Sequence, residues 1–384
     1  MEILIVGGTG VLSSAVVNEA LKRGYHVTMI NRGNRRSSIP MEAELIQSDK
    51  NDYEKISNCI RGRRFDSVID FLCLSDYETE LSFNFYSQYA DQYFFISSCA
   101  VYDTSKPGIC DEDYPKNLKI WDYSGRKWES EKKLMELAKN SQTKVTIIRP
   151  CVTYDDTRIP YGITPLYGYH WTMISRIKAG KPIITWNGGN NKCNMTRVED
   201  FAVGVVGLIN NPRAYGEAFN VCGDETPSFR DVLDVIASYI HCDVKTIDLP
   251  SDFYAKHLPN RAGEILGGRS LDSVNSNYKL KQVVPEFKQS IDIKNGIIMT
   301  LKAYEEKGFQ KGIDWQFEGD CDRIIRMWCK KSRIYTKDMN LHFVDYFGNA
   351  TRKNKEEYFF ALYFDRVYYT IRKGLSNFKR KLKK

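Results

Sequence analysis

The stretch from Ile3 to Arg36, ILIVGGTGVLSSAVVNEALKRGYHVTMINRGNRR, decides the fold. It opens with a continuous apolar run, Ile3–Val6, of the kind that a strand buried on both faces requires. Four residues rich in glycine follow, and then apolar residues recur at spacings of three to five as far as Gly24, which predicts a helix. A second apolar run at residues 27–30 completes a β-turn-α-β unit of about thirty residues.

A glycine turn in this context predicts a dinucleotide site. Glycines allow backbone N–H groups to approach a pyrophosphate, and the helix N-terminus favours the negative charge of the phosphate. We expect the cofactor to contact the turn and the first helical residues, Gly7, Gly8, Thr9, Gly10, Val11 and Leu12.

Two positions depart from the usual pattern of such a site. Ser13 stands where a third glycine would allow close packing of helix and strand. At the end of the second strand, Asn31 replaces the acid that would bind the adenosine ribose 2′-OH, and Arg32, Arg35 and Arg36 follow. Cations at this place suit a 2′-phosphate, which favours NADP over NAD. The alternative is that these arginines belong only to a solvated loop.

Further strands alternate with helices along the first 150 residues, which predicts a doubly wound parallel sheet, a Rossmann fold of the α/β class. A third strand ends at Asp49 and Lys50, where the adenine edge would lie. A fourth ends in the loop that carries Phe71, Leu72 and Cys73, which we expect to pass beneath the cofactor, since ligands collect at the carboxyl ends of such strands.

A serine and a Tyr/Lys pair predict the catalytic centre. Ser98 ends the fifth strand, and Tyr123 and Lys127 open a helix that continues to Ala138. At a spacing of four the two side chains share one helical face, so the ammonium favours the phenolate of the tyrosine. A phenol in this setting is a general base for a sugar hydroxyl. The alternative is a chance pair on the protein surface.

Composition limits the remaining classes. The chain has 384 residues, of which 42% are hydrophobic, enough for a large domain and a smaller lobe. Its ten cysteines show no CxxC pairs, and the first strand begins at residue 3. We therefore expect a cytoplasmic protein without a metal site, signal peptide or membrane-spanning helix.

The net charge of +8 is concentrated in the C-terminal segment, where Asp320–Lys384 contains 17 Lys/Arg and 7 Asp/Glu. The body is near neutral, so a nucleic-acid partner is not expected from its charge. The end of this segment has the pattern of a basic amphipathic helix, with apolar positions Phe360, Phe364, Val367, Ile371, Leu375, Phe378 and Leu382. Such a helix binds an anionic membrane surface or a protein partner, or packs on its own body or a second subunit.

Six segments in order and spacing carry a family resemblance: GGTGVLS, SSCAVY, YSGRK, IIRP, TRVEDFA and AFNVCGDE. Together they resemble the extended short-chain dehydrogenase/reductases, specifically the NAD-dependent epimerase/dehydratase family, which acts on nucleotide sugars. The likeness covers about residues 1–315. The Asn-Arg-Gly segment at residues 31–33 resembles an atypical branch, some of whose members are associated with RNA or have lost activity.

The resemblance implies roles for single residues. Tyr123 would be the acid/base, Lys127 would bind the nicotinamide ribose and lower the pKa of the tyrosine, and Ser98 would hydrogen-bond the reacting oxygen. Pro150 would border the nicotinamide. Around the sugar, the implied substrate-binding residues are Ser98, Cys99, Ala100, Tyr123, Tyr161, Tyr167, His170 and Arg197. For the residues between 161 and 171, which also include Tyr169 and Trp171, the alternative is ordinary packing of a small lobe.

The same resemblance implies the domain organisation. The Rossmann domain would comprise residues 1–153 and 186–225, and the substrate lobe residues 154–185 and 226–318. Beyond these the family pattern ends, and the charge and apolar spacing predict a basic helical extension over residues 319–384. We also expect a homodimer, with the extension as a possible peripheral contact at the inner membrane face.

The reaction that this pattern favours is epimerisation of a nucleotide sugar at C4 through a keto-sugar. Members that eliminate water carry an Asp-Glu pair after the active-site hydroxyl, and here Cys99 and Ala100 occupy those positions, which disfavours dehydration. One alternative is an NADPH-dependent keto-sugar reductase. Another is a non-catalytic protein on the same fold that binds RNA or serves a membrane assembly.

Overall fold

The structure is a computed structural model that describes residues 1–116, 120–308, 311–341, 348, 350–364 and 367. The chain forms two compact units. The first comprises Met1–Asp155, Lys192–Pro227 and Leu271–Gly296. The second comprises Asp156–Asn191, Ser228–Ser270 and Ile297–Lys384.

Regular elements alternate along the first unit and become mainly helical towards the C-terminus. The strands are β1 (Glu2–Val6), β2 (His26–Asn31), β3 (Glu44–Gln47), β4 (Phe65–Asp70), β5 (Ala90–Ile96), β6 (Lys144–Pro150), β7 (Val152–Tyr154), β8 (Ile183–Thr185), β9 (Met195–Arg197), β10 (Glu217–Val221) and β11 (Thr246–Asp248). The helices are α1 (Val11–Lys22), α2 (Tyr53–Ile60), α3 (Asp76–Tyr86), α4 (Asp122–Ala138), α5 (Trp171–Lys178), α6 (Val198–Gly207), α7 (Phe229–Ile240), α8 (Ser251–His257), α9 (Ala262–Glu264), α10 (Tyr278–Val283), α11 (Ile293–Glu306) and α12 (Trp315–Ser332). Residues 352–364 form a further helix.

The first unit is built on a parallel sheet with the strand order β10-β6-β5-β4-β1-β2-β3. The order reverses beside β1, whose last residue, Val6, lies opposite both Ile30 of β2 and Asp70 of β4. This arrangement is the Rossmann fold, as predicted. Its ligand crevice is expected at the carboxyl ends of β1 and β4, where the glycine turn begins.

The central strands are apolar throughout because both faces of the sheet are covered. On one face, Ile3 and Ile5 of β1 pack in a core with residues of α1 and α6. On the other face, Leu4 and Val6 pack in a core with residues of α2, α3 and α4. Side chains therefore alternate between the two faces of β1. The helix α4, which carries Tyr123 and Lys127, packs on the face that Leu4 and Val6 line.

The second unit contains a fully buried group of four charges. Arg176 and Lys181 meet Glu318 and Asp322 of α12, with N···O distances of 2.6 to 3.0 Å. Tyr358, from the helix over residues 352–364, donates its hydroxyl to Asp322 at 2.7 Å. The C-terminal helices are therefore an integral part of the packing of this unit.

The C-terminal helical extension is present, and the described part of its predicted apolar face is partly exposed. Phe360, Phe364 and Val367 expose 37%, 58% and 61% of their surfaces. The other predicted apolar positions, Ile371, Leu375, Phe378 and Leu382, lie outside the described residues. Within the described ranges, no helix is both long and apolar enough to cross a membrane.

Candidate active site

The turn after β1 is shaped for close approach of a ligand to the backbone. Gly7 has a φ of +86°, and a Cβ there would lie 2.6 Å from the side chain of Leu72. A Cβ on Gly8 would lie 2.5 Å from the terminal methyl group of Met29. A side chain is therefore excluded at Gly7 and at Gly8, which fits the close backbone approach that a pyrophosphate requires.

Ser13 is accommodated in the glycine position because its hydroxyl cross-links the turn. Its Oγ accepts the Gly10 N–H at 2.8 Å and donates to the Gly7 carbonyl at 2.6 Å. The first N–H groups of a helix have no partner within the helix, and Val11 and Leu12, the first residues of α1, stay the predicted donors for a phosphate.

Asn31 at the end of β2 also braces the turn. Its Oδ1 accepts the Gly8 N–H at 3.1 Å, and its Nδ2 donates to the Thr9 hydroxyl at 3.1 Å. An amide is suited to this position because it is both donor and acceptor. The residue that replaces the usual acid is thus engaged with the glycine turn.

The three arginines after β2 are exposed. Arg35 donates to the Thr9 carbonyl at 3.1 Å, which places its guanidinium beside the glycine turn. Arg36 donates to the Gln47 side chain of β3 at 2.5 Å, and Gln47 in turn donates to the Arg32 carbonyl at 3.3 Å. These contacts hold the arginine loop at the edge of the predicted cofactor site.

The two residues predicted at the adenine edge differ in their surroundings. Asp49 is exposed, and its carboxylate accepts the Asn51 N–H at 3.0 Å. Lys50 donates to the Leu72 carbonyl at 2.7 Å and to Glu78 at 2.8 Å. Lys50 therefore supports the loop after β4 in this structure.

The loop after β4 is held by a buried carboxylate at the end of that strand. Asp70 accepts the Leu72 N–H at 2.7 Å, the Cys73 thiol at 3.1 Å and the Ser82 hydroxyl at 2.5 Å. Phe71 is fixed to β1 through its N–H, which donates to the Val6 carbonyl at 3.1 Å. The Cys73 thiol is engaged in this network. A cofactor at this loop would therefore meet the backbone of Cys73 and not its thiol.

The segment after β5 presents Ser98 and buries its neighbour. The Ser98 hydroxyl accepts the Ala100 N–H at 3.1 Å and is partly exposed. Cys99 is 3% exposed, and its thiol donates to the Arg149 carbonyl at 3.2 Å. The Cys99 thiol is therefore packed in the core, and the contact of this residue with substrate stays a prediction.

Tyr123 and Lys127 lie one turn apart on α4, as the spacing predicts. The Lys127 ammonium is buried and donates to the carbonyls of Cys73 and Ile96, both at 2.7 Å. Tyr123 is partly exposed, and its ring lies 5.0 Å from that of Trp121. The lysine thus joins the helix that carries the tyrosine to the carboxyl ends of β4 and β5.

Burial lowers the pKa of Lys127 to about 8, although the acidic groups around it favour the ammonium. The same ammonium lies 4.9 Å from the centre of the Phe95 ring. A pKa near the operating pH is typical of groups that take part in acid/base chemistry.

Sequence reasoning missed the polar network behind this helix. Glu131 of α4 is 1% exposed and binds both Ser97 and Arg149. Its position four residues after Lys127, on the same helical face, is the signal that the sequence offered. Arg149 directly precedes Pro150, the buried last residue of β6.

The second unit places Tyr161 and His170 in its packing. Tyr161 is 5% exposed and donates to the Ile184 carbonyl at 3.1 Å. His170 is 3% exposed, its Nδ1 accepts the Ile159 N–H at 2.9 Å, and burial lowers its pKa to about 3. Both side chains are thus buried and hydrogen-bonded within the second unit, as the packing alternative expects, and their contact with a sugar stays a prediction. Tyr167 remains 36% exposed.

The last predicted substrate residue, Arg197, lies in the first unit. It is 1% exposed and forms a two-pronged ion pair with Glu199 at 2.6 and 2.9 Å. Its guanidinium also lies 5.6 Å from the centre of the Tyr154 ring. The buried side chain is thus fixed within the first unit. Among the described residues, no group of three or more His, Cys, Asp or Glu is arranged to hold a metal ion.

Comparison with known proteins finds relatives by sequence, among them the photosystem II assembly factor Ycf39 of Trieres chinensis, which is 42% identical over 72 residues, 18% of this chain and 22% of that relative. The chloroplast stem-loop binding protein of 41 kDa b of Arabidopsis thaliana is 27% identical over 246 residues. The match spans 59% of this chain and 60% of the length of that relative.

Two solved structures share the fold. UDP-glucuronic acid 4-epimerase from Bacillus cereus, in complex with UDP-glucuronic acid and NAD, has a TM-score of 0.63 and 17% identity. UDP-glucose 4-epimerase from Thermotoga maritima, with UDP-glucose, has a TM-score of 0.64 and 16% identity. Each similarity covers 80% of this chain and 99% of the other.

A family model decides the assignment because it matches more than half of the chain. Residues 3–222 match the model of the NAD dependent epimerase/dehydratase family. The match includes the glycine turn, Ser98, and the Tyr123 and Lys127 pair. The chain therefore belongs to the NAD-dependent epimerase/dehydratase family.

Proposed function

We propose that this protein is an NAD(P)-dependent nucleotide-sugar epimerase. The observation that carries the proposal is the position of Lys127, whose ammonium is held at 2.7 Å by the carbonyls of Cys73 and Ile96 and lies one helical turn from Tyr123. These groups, the glycine turn and Ser98 belong to one compact unit. Solved structures with the same fold bind NAD and UDP-sugars, which supports the choice of substrate class.

In this proposal Tyr123 removes the proton from the C4 hydroxyl of the sugar while Lys127 stabilises its phenolate. Ser98 hydrogen-bonds the reacting oxygen. A nicotinamide cofactor, which the glycine turn and Lys127 would hold, would supply reversible hydride transfer at C4, with removal and return on opposite faces of that carbon. Tyr123 then returns the proton to the oxygen, so atoms and electrons balance and no cofactor is consumed.

Epimerisation is preferred to dehydration because the residues after Ser98 supply no carboxyl group. The thiol of Cys99 is buried against the Arg149 carbonyl, and Ala100 has no polar side chain. Elimination of water needs an additional acid and base. The site offers neither at these positions.

We further propose that NADP(H) binds more tightly than NAD(H). Arg35 lies beside the glycine turn through its bond to Thr9, and Arg32 and Arg36 are exposed on the same loop. Guanidinium groups form charge-assisted bonds to a 2′-phosphate. Asn31, which carries no charge, does not repel that phosphate.

An alternative within the same chemistry is an NADPH-dependent keto-sugar reductase, which a preference for NADPH would favour. Incubation with UDP-glucose or UDP-glucuronic acid without added cofactor tests the epimerase. Isomer formation by NMR supports epimerisation, whereas stoichiometric NADPH oxidation with a keto-sugar and no isomer formation supports the reductase.

A second class, a non-catalytic RNA-binding protein on the same fold, is motivated by the name of the Arabidopsis relative. It requires RNA binding that falls steeply with salt. Titration of NADH and NADPH by fluorescence, beside titration of a stem-loop RNA at two salt concentrations, separates it from the enzyme. A homodimer and a cytoplasmic location, with a peripheral membrane contact of the extension, stay predictions, which light scattering and vesicle sedimentation test.

A further inference from the structure

Glu131 continues the functional face of α4. It follows Lys127 by four residues and Tyr123 by eight, so the three side chains lie along one side of the helix. Unlike Tyr123, it is fully buried, with 1% of its surface exposed. A carboxylate at such a position is costly unless it is paired and hydrogen-bonded.

The carboxylate of Glu131 ties the helix to the ends of two strands. Its Oε1 accepts the Ser97 hydroxyl at 2.5 Å and the Arg149 Nε at 3.0 Å, and its Oε2 accepts the Arg149 Nη2 at 2.6 Å. Ser97 immediately follows β5 and precedes Ser98, while Arg149 lies near the end of β6. Two-pronged Arg–carboxylate pairs fix orientation as well as distance.

Arg149 extends this hydrogen-bond network to the segment between β5 and α4. Its Nη1 donates to the Tyr102 hydroxyl at 2.8 Å and to the Glu112 carbonyl at 3.0 Å. Tyr102 donates to the Asn220 side chain of β10 at 2.6 Å. The polar groups of this chain of contacts satisfy one another, which is the condition under which a buried network rigidifies its surroundings.

We propose that Glu131 is a positioning residue for the proposed epimerase, holding the face of α4 that carries Tyr123 and Lys127 in register with Ser98. The proposal rests on the proposed function. Without the hydrogen bonds of Glu131, α4 is still attached to the sheet through Lys127. The segment of Ser97 and Ser98 then loses its bond to α4, so the distance between Ser98 and Tyr123 is less well fixed. A misplacement of about 1 Å costs on the order of 10²-fold in rate.

The charge of Glu131 acts on Lys127 as well. Burial lowers the pKa of that lysine, and the carboxylates that act on it, Asp70, Glu131 and Glu78, work in the opposite direction. Removing one of these charges therefore lowers the pKa of Lys127 further. The pKa of Lys127 is therefore a measurement that loss of a purely structural residue would not change.

Glu131→Gln is the decisive variant because it keeps the shape and removes the charge. Ser97→Ala is the partner variant, which removes one bond to Glu131 and keeps its charge. Asp322→Asn, in the buried charge group of the second unit, is the control for loss of a buried ion pair. The full chain is used, at a temperature where circular dichroism shows all variants folded.

For Glu131→Gln we expect kcat to fall by about 10²-fold with little change in KM or in NADH affinity. We expect the kcat of Ser97→Ala to fall less than that of Glu131→Gln. The kcat of Asp322→Asn should equal that of the wild type. In spectra of protein labelled with 13Cε-lysine, assigned with Lys127→Met, Lys127 should titrate at lower pH in Glu131→Gln than in the wild type, Ser97→Ala and Asp322→Asn.

A wild-type kcat in Glu131→Gln overturns the proposal, as does a kcat loss that Asp322→Asn shares. If the wild type converts no nucleotide sugar, the proposed function fails on that result. The lysine titration needs no turnover, and an unchanged Lys127 pKa in Glu131→Gln then overturns the positioning role as well.

Discussion

The ammonium of Lys127 lies 2.7 Å from the carbonyl oxygen of Ile96, the last residue of β5. The same group binds the Cys73 carbonyl at 2.7 Å, so one side chain joins α4 to the ends of two strands. The lysine proposed to activate Tyr123 is therefore also the group that fixes the tyrosine's helix at the crevice.

We expect kcat/KM to fall as pH rises through about 8, because the ammonium of Lys127 loses its proton there and no longer favours the phenolate. Lys127→Arg retains a charge that does not titrate in this range. The residual activity of that variant should lack the alkaline limb near pH 8. An unchanged limb in Lys127→Arg would assign it to another group.

Stability should respond to the same titration in the opposite sense. Burial lowers the pKa of Lys127 from 10.5 to about 8, so between these values the unfolded chain binds more protons than the folded chain. The free energy of unfolding should therefore rise over this interval in the wild type, relative to Lys127→Met. Urea unfolding at pH 7.5 and 10 measures the difference, and parallel curves for both proteins would contradict it.

Restoring the third glycine should weaken this protein. Ser13→Gly removes the hydroxyl that accepts from Gly10 and donates to Gly7, leaving buried backbone groups unpaired. We expect a loss of about 1–3 kcal/mol in the free energy of unfolding and weaker NADH binding. Asn18→Gly, at an exposed position of the same helix, serves as the control for added backbone freedom. Equal unfolding midpoints for Ser13→Gly and the wild type would show that the cross-link contributes nothing.

The arginine loop should discriminate the cofactors. Arg32→Ala and Arg35→Ala should each weaken NADPH binding by roughly 1.5–3 kcal/mol, because each removes a guanidinium proposed to bind the 2′-phosphate. The affinity for NADH should stay nearly unchanged. Fluorescence titration measures both affinities, with Arg61→Ala, on the loop after α2, as the control. Equal losses for the two cofactors, or a wild-type preference for NADH, would mean that the arginines are only solvated.

The C-terminal helices should be required for the second unit to fold. Deleting residues 314–384 removes Glu318 and Asp322 and leaves Arg176 and Lys181 buried without these partners. Breaking a buried pair costs about 3–5 kcal/mol. Deleting residues 365–384 removes none of the four charges and is the matched control. A 314–384 deletion that melts like the full chain would contradict this account.

The sequence predicts the fold because its information is local. The apolar run at Ile3–Val6, the glycines after it and the spacing of Tyr123 and Lys127 all lie within single elements. Their alternation with helices is sufficient to predict a parallel sheet. The parallel sheet and the helix with the Tyr/Lys pair are found as expected, whereas the order of the strands was not predicted.

What the sequence did not reveal depends on contacts between distant segments. The internal hydrogen bonds of Asn31 and Ser13 convert two departures from the motif into braces of the turn. The burial of His170 and Cys99 follows from packing that no periodicity encodes. The pairing of Glu131 with Arg149 joins residues 18 positions apart on different elements.

The central claim is that Tyr123 exchanges the proton of a sugar hydroxyl in an epimerase site. The most direct test compares the wild type with Tyr123→Phe, incubated with UDP-glucose or UDP-glucuronic acid and no added cofactor, following isomers by NMR. We expect the wild type to form the C4 isomer, and Tyr123→Phe to form none while binding NADH as the wild type does. Full epimerase activity in Tyr123→Phe would contradict the assignment of Tyr123, and a wild type that binds NADH but forms no isomer from either sugar would contradict the epimerase proposal.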